Sequence, residues 1–75
     1  MGQGLVWDVT AQSVSLNTGK PLAKARTERI DVRKNSMFTH CRTAREIYLN
    51  YENFWNRFPT TPRELVLIRK IVEVV

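Results

Sequence analysis

The spacing of hydrophobic positions along the chain changes character once, near its middle. Between Leu5 and Val32, strand-forming Val, Thr, Trp, Leu and Ile lie on either side of Asn17-Thr18-Gly19-Lys20, whose glycine supplies the left-handed residue of a tight turn. This predicts a β-hairpin over residues 5–34. With those four residues as the loop, Leu16 faces Pro21 and the numbers of each cross-strand pair add to 37. The resulting pairs are Val14 with Ala23, Thr10 with Thr27, Asp8 with Arg29, Trp7 with Ile30 and Leu5 with Val32, all sensible cross-strand partners, although Ser15 with Leu22 is a poor one. Pro21 donates nothing to a ladder, but the first position of a strand tolerates that. A five-residue loop that includes Pro21 would match Leu16 with Leu22, yet it sets Trp7 against Asp31 and Val9 against Arg29. The first register is therefore adopted. In it Leu5, Trp7, Val9, Ile30 and Val32 share one face, while Val14, Leu16, Pro21 and Ala23 share the other. Side chains alternate with a period of two, so this switch near Gln12 and Ala25 implies a bulge, a strong twist, or a distal half that packs elsewhere.

The second half has helical spacing. Thr43-Ala44-Arg45-Glu46 has the form of a capping box, and Ile47, Tyr48, Tyr51, Phe54, Trp55 and Phe58 follow on one side, predicting a helix over 43–58. Pro59 and Pro62 break it. Thr61-Pro62-Arg63-Glu64 then repeats the start signal, with Leu65, Ile68, Val72 and Val75 at three-four-three spacing, which predicts a second helix over 62–75. The β-branched run Ile71-Val72-Glu73-Val74-Val75 also permits its end to become a strand. The expected fold class is α+β: a twisted N-terminal hairpin, with room for a short third strand, followed by two C-terminal helices in a single domain, 1–75.

A chain of 75 residues buries a thin core, and domains of this size lean on disulfides, metals or a second subunit. One cysteine, Cys41, and one histidine, His40, make neither a disulfide framework nor a four-ligand zinc site, so no cofactor or metal is expected. A second copy remains, and the apolar stretch 65–75 makes a homodimer through it the expectation. The start Met1-Gly2-Gln3-Gly4-Leu5-Val6 lacks the features of a signal peptide, and Val6 stands where a myristoylation motif needs Ser or Thr. The longest apolar run, Leu65 to Ile68, is four residues, far short of a membrane span. A cytoplasmic protein with no membrane partner is expected.

Charge is segregated. Residues 20–45 hold Lys20, Lys24, Arg26, Arg29, Arg33, Lys34, Arg42 and Arg45 against Glu28 and Asp31, so the net charge of +5 has its source in this third of the chain. Such segregation is the footprint expected of a polyanion-binding surface, and its competing reading is a solvated face that keeps a small protein soluble. Lys24, Arg26 and Lys34 fall on one face of the second strand, Arg29 and Arg33 on the other. A ribbon of this kind has the width of a major groove, and its arginines can clamp phosphates.

The remaining chemistry is weaker. The aromatic stripe could stack bases, but helical spacing on one side is what core packing demands. Asn50, Asn53 and Arg57 share the opposite side of the helix, where Asn and Arg can read base edges or simply face water. Neighbouring His40 and Cys41 do not converge on one point, so Cys41 reads as a small buried residue. Glu46 and Glu64 have capping roles, the carboxylates form no pair, and Gly2, Gly4 and Gly19 form no phosphate-binding loop. No enzymatic reading emerges.

At the level of fold, the basic ribbon followed by the Thr43-Ala44-Arg45-Glu46 helix start resembles the arm-binding domains of phage-type integrases, over residues 5–58 and without a specific motif. That resemblance implies a sheet docked into a major groove. Size and basicity also resemble accessory proteins of phages and mobile elements. The expected function is a small, non-enzymatic nucleic-acid-binding accessory protein that holds phosphates through those eight cations. The alternative is a protein-interaction module, an inhibitor or adaptor, offering its hairpin edge or C-terminal apolar helix to an acidic partner surface.

Overall fold

The computed structural model describes residues 2–57 and 64–75, apart from the side chains of 55–57. In chain order it contains β1 (Val6–Ser15), β2 (Arg26–Asp31), a single 3-10 turn (Ser36–Phe38), α1 (Ala44–Arg57) and β3 (Glu64–Glu73). The three strands form one antiparallel sheet in the order β2-β1-β3. The fold class is thus α+β, with one helix among the described residues rather than two.

Trp7↔Ile30, Asp8↔Arg29 and Thr10↔Thr27 pair in the register the sequence predicts, up to Ala11↔Arg26. Beyond that point the hairpin departs from expectation. Val14 bridges Pro21 rather than Ala23, so residues 22–25 face only residues 12 and 13, and the return strand carries two extra residues. This irregularity lies where the apolar face switches, near Gln12 and Ala25. It also moves the loop to residues 16–19, since Ser15 N donates to Lys20 O at 2.9 Å and Gly19 N to Ser15 O at 2.8 Å. Gly19, at φ +71°, supplies the left-handed residue there.

The expected second helix is corrected. From Glu64 onward the chain is β3, which lies along β1 from Ser15↔Glu64 to Trp7↔Glu73. Six of the residues from Val66 to Val75 are Val or Ile, and a sheet accommodates β-branched side chains better than a helix does. The pairing steps from Ala11↔Ile68 to Thr10↔Lys70, so Arg69 is an extra residue in a bulge. Val66, Ile68 and Ile71 therefore all reach the core, at spacings of two and then three. Of the helical seam Leu65, Ile68, Val72 and Val75 only Ile68 packs on that core; Leu65 and Val72 stand opposite Val14 and Asp8 instead. The second start signal, at 61–64, falls mainly on residues outside the described set. The proposed dimer contact loses its helix as well, because much of the apolar stretch 65–75 packs as a strand of the sheet.

One face of the sheet carries the core. Trp7, Val9, Ala11 and Ile30 point towards α1 and the 3-10 turn and are buried with Val32, Phe38, Cys41, Ile47 and Tyr51. The sequence placed Ile47, Tyr51 and Cys41 inside correctly, but Tyr48 is exposed on the outer side of α1. Thr43 caps the helix as expected: Glu46 N donates to Thr43 Oγ1 at 3.2 Å, and the Glu46 carboxylate accepts from Thr43 Oγ1 at 3.0 Å and from Arg42 N at 3.2 Å. No helix of the described residues is long and apolar enough to cross a membrane. The molecule is elongated, 41 Å by 19 Å by 17 Å.

Candidate functional site

Among the described residues, no helix packs on the opposite face of the sheet. Asp8, Thr10 and Gln12 of β1 alternate with the buried positions, and their cross-strand partners stand beside them: Arg29 and Thr27 on β2, Val72, Lys70 and Leu67 on β3. Thr10 and Thr27 share a hydroxyl hydrogen bond of 2.8 Å. Gln12 ties both flanks together, donating to Ala23 O at 2.9 Å and accepting from Arg69 Nε at 3.1 Å. One glutamine thus holds the irregular return strand on one side and the bulge residue on the other.

The eight cations singled out in the sequence do not form one patch. Arg29 makes a two-pronged contact with Asp8, at 2.9 and 3.1 Å, and Arg33 makes the same kind of contact with Asp31, at 2.9 Å for both prongs. Arg42 turns its guanidinium onto the carbonyls of Thr39 (3.0 Å) and Cys41 (2.7 Å), closing the loop before α1. These three arginines have structural partners. Lys20, Lys24 and Arg26 are exposed on the distal half of the hairpin, where Lys20 stands across from Ser15 and Arg26 across from Ala11. Lys34 and Arg45 are also exposed, but at the other end of the sheet. That end is fixed by Val32 N, which donates to Leu5 O, and by Arg42, whose carbonyl lies against Gly4.

Sequence reasoning missed two cations. Arg69 and Lys70 had been set on a helix and balanced against Glu64 and Glu73, whereas β3 puts Lys70 on the open face opposite Thr10 and leaves Arg69 bonded to Gln12. The signal that could have found them was the β-branched density of residues 66–75. Asn50, a candidate base reader, donates to Met37 O at 3.2 Å and to Cys41 Sγ at 2.9 Å, so it braces the loop before α1. Asn53 is exposed, and the Arg57 side chain is outside the described set. Burial pushes the Cys41 thiol up, which makes it a poorer nucleophile. No group of His, Cys, Asp and Glu that could hold a metal occurs among the described residues.

The acidic side chains are engaged throughout. Asp8 and Asp31 hold arginines, Glu46 caps α1, Glu52 accepts from the Tyr48 hydroxyl, and Glu28 accepts from Tyr51 at 3.4 Å. Glu73 accepts from Gly4 N at 2.6 Å, and Glu64 also has an interacting partner. By contrast, Lys20, Lys24, Arg26, Lys34, Arg45 and Lys70 form no ion pair among the described residues.

The engaged carboxylates predict an acid response. The Arg33 guanidinium holds Asp31 down at about 2, and Asp8 and Glu46 are lowered by their own hydrogen-bond donors, Arg29 and Arg42 N respectively. A carboxylate lowered in the fold stabilises it above its unfolded value of 3.8, and that contribution disappears as the pH falls towards 2. Melting temperature should therefore fall between pH 4 and 2. Asp31→Asn should be less stable than wild type at pH 5 and converge with it at pH 2, and parallel melting curves across this range would rule out the linkage.

The chain matches no protein-family model, no curated protein and no solved structure.

Proposed function

We propose that the protein binds nucleic acid without catalysing a reaction, laying the open face of its sheet and the distal hairpin against a phosphate backbone. One observation carries this reading: among the described residues the two aspartates pair only with Arg29 and Arg33, while Lys20 and Lys24 on the distal hairpin and Lys70 on the open face form no ion pair. Arg69 and Lys70 on the open face and Lys20 and Lys24 on the distal hairpin supply four contacts, while Arg26, opposite Ala11, lies on the helix-bearing face. Thr10 and Thr27 add hydroxyls that hydrogen-bond phosphate oxygens. Lys70 and Thr27 flank Thr10 from opposite sides, roughly 10 Å apart across two strand spacings. Arg29 and Arg33 stay with their aspartates, and Lys34, Arg42 and Arg45 lie away from this surface.

A salt series on duplex DNA tests the reading. Four phosphate contacts correspond to a loss of roughly 100-fold in affinity between 50 and 200 mM salt, since each released counterion steepens the dependence. Affinity that hardly changes across the series would reject it.

A second reading, a module that adds a partner's strand to the β2 edge, draws on one observation. Arg26 to Arg29 are exposed along that edge. Basic side chains on an edge discourage strand addition, which is why the first reading is preferred. Retention of a protein partner from nuclease-treated lysate, lost on replacing Thr27 with proline, would favour the second.

A further inference from the structure

The outer side of α1 carries chemistry that phosphate binding on the open sheet face does not use. Ile47 and Tyr51 turn inward to the core, whereas Arg45, Tyr48, Leu49 and Glu52 follow one another at i, i+3, i+4 and i+7 along the side away from it. Tyr48 and Leu49 are 38% and 46% exposed, so two large apolar side chains meet water next to each other, in a domain too small to leave them outside without cost. Leu16, Leu22, Met37 and Val72 are exposed as well, but at separate points of the hairpin, the turn and β3, as single surface apolar residues commonly are. The two ends of the stripe have opposite charge. Arg45 is exposed and forms no ion pair among the described residues. Glu52 stands about 10 Å further along the helix axis. Its carboxylate accepts from the Tyr48 hydroxyl, which holds it beside the apolar pair and leaves room for a second donor.

We propose that this stripe is a homodimer interface: two copies pair α1 antiparallel, Tyr48 and Leu49 packing on the partner's Leu49 and Tyr48, while Arg45 pairs with the partner's Glu52 at both ends. With the two-fold axis between Tyr48 and Leu49, residues whose numbers add to 97 face each other, which matches cation to carboxylate and apolar to apolar in one arrangement. A second copy is the occupant this pattern specifies, because a half-turn about that axis makes the stripe its own complement. Parallel pairing would set Arg45 on Arg45 and Glu52 on Glu52. Phosphate would gain little here, since the stripe offers it one cation and one carboxylate. The contact lies opposite the open sheet face, so both copies keep that face available and the pairing is independent of nucleic-acid binding. One helix pair is smaller than a standard interface of about 1,600 Å², so the dissociation constant should be of the order of 0.1 mM.

The test is sedimentation equilibrium of the nuclease-treated protein, without added nucleic acid, at low salt. Wild type is compared with Arg45→Glu, with Glu52→Arg, with the variant carrying both changes, and with an equimolar mixture of the two single variants. Wild type should approach the mass of a dimer by about 1 mM. Each single variant sets like charges against each other at both ends of the contact and should weaken self-association at least about tenfold. The mixture restores both ion pairs between unlike chains, and the double variant restores them in the reversed sense, so both should associate as wild type does. Recovery in the mixture also shows that neither single variant has lost its fold. A wild type that stays monomeric at this concentration would overturn the interface. Single variants that associate as tightly as wild type, or a mixture no tighter than either variant alone, would do the same.

Discussion

Gly4→Ala is expected to lower the melting temperature by roughly 12 to 24 °C, the largest effect of any single methyl group added to this chain. Gly4 is buried at φ +72°, a conformation that costs an alanine roughly 1 to 2 kcal/mol. A Cβ there would also collide with the Arg42 carbonyl oxygen, which is backbone and cannot swing aside. Overpacking of this kind costs roughly 1 to 3 kcal/mol more. The same residue joins three parts of the fold: its N–H donates to Glu73 at 2.6 Å and its carbonyl accepts from Trp7 Nε1 at 3.0 Å, while the loop leading into α1 passes over its Cα. A shift that relieves the clash therefore pulls on β1 and on the end of β3 together. The sum, about 3 kcal/mol, is a large fraction of the roughly 4 to 11 kcal/mol that holds a domain of this length. Gly19→Ala is the control. Its φ of +71° imposes the same backbone strain, but nothing lies within 4 Å of the added methyl, so it should cost only about 1 to 2 kcal/mol. Thermal melts of both variants by circular dichroism compare the two, and equal destabilisation would show that the Arg42 contact contributes nothing.

The contrast between these glycines shows what was legible in the chain. Gly19 announces itself, because Asn-Thr-Gly between two strand-like segments is turn chemistry that needs no tertiary information. Gly4 gives no such sign, since its requirement is set by Arg42, distant in sequence. The hairpin register was readable because Trp7 with Ile30 and Asp8 with Arg29 are good pairs in only one alignment. The register of the tip was not, since two extra residues between Pro21 and Arg26 leave no compositional mark. For β3 the start signal at 61–64 and the three-four-three spacing of Leu65, Ile68, Val72 and Val75 favoured a helix, although only Ile68 of these packs on the core, and the bulge at Arg69 hid the two-residue period of the strand. That misreading carried over to the site. With 62–75 taken as a helix, Arg69 and Lys70 were balanced against Glu64 and Glu73, although Glu73 in fact anchors Gly4. The sequence did pair Asp8 with Arg29, but it did not reveal that both aspartates take up arginines from the proposed binding strand. Total charge was visible in composition, whereas which charges remain available depends on contacts.

Replacing Lys20, Lys24 and Lys70 together by glutamate should lower affinity for duplex DNA by at least about 500-fold at 0.1 M salt, the other large effect expected. At that concentration each phosphate contact contributes close to tenfold through counterion release, so three contacts account for this factor before repulsion by the new carboxylates is added. All three side chains are exposed and form no ion pair among the described residues, so the variant should keep the wild-type melting temperature to within a few degrees. Two further variants separate position from total charge. Lys34→Glu with Arg45→Glu changes the charge by four but acts at the far end of the sheet, and should cost less than about tenfold, because exposed charges beyond a Debye length of roughly 10 Å are largely screened. Removing Asp8 and Arg29 together leaves the net charge unchanged and deletes a pair already satisfied within the sheet, so binding should hardly move. If affinity instead followed net charge alone, both glutamate variants would weaken binding in proportion to the charge they add, and the open face would be no more than one part of a uniformly basic surface. An ordering in which the triple variant loses most, the far-end pair little and the neutral pair least requires phosphates to be held along the distal half of the hairpin and by Lys70 beside Thr10, rather than by the charge as a whole.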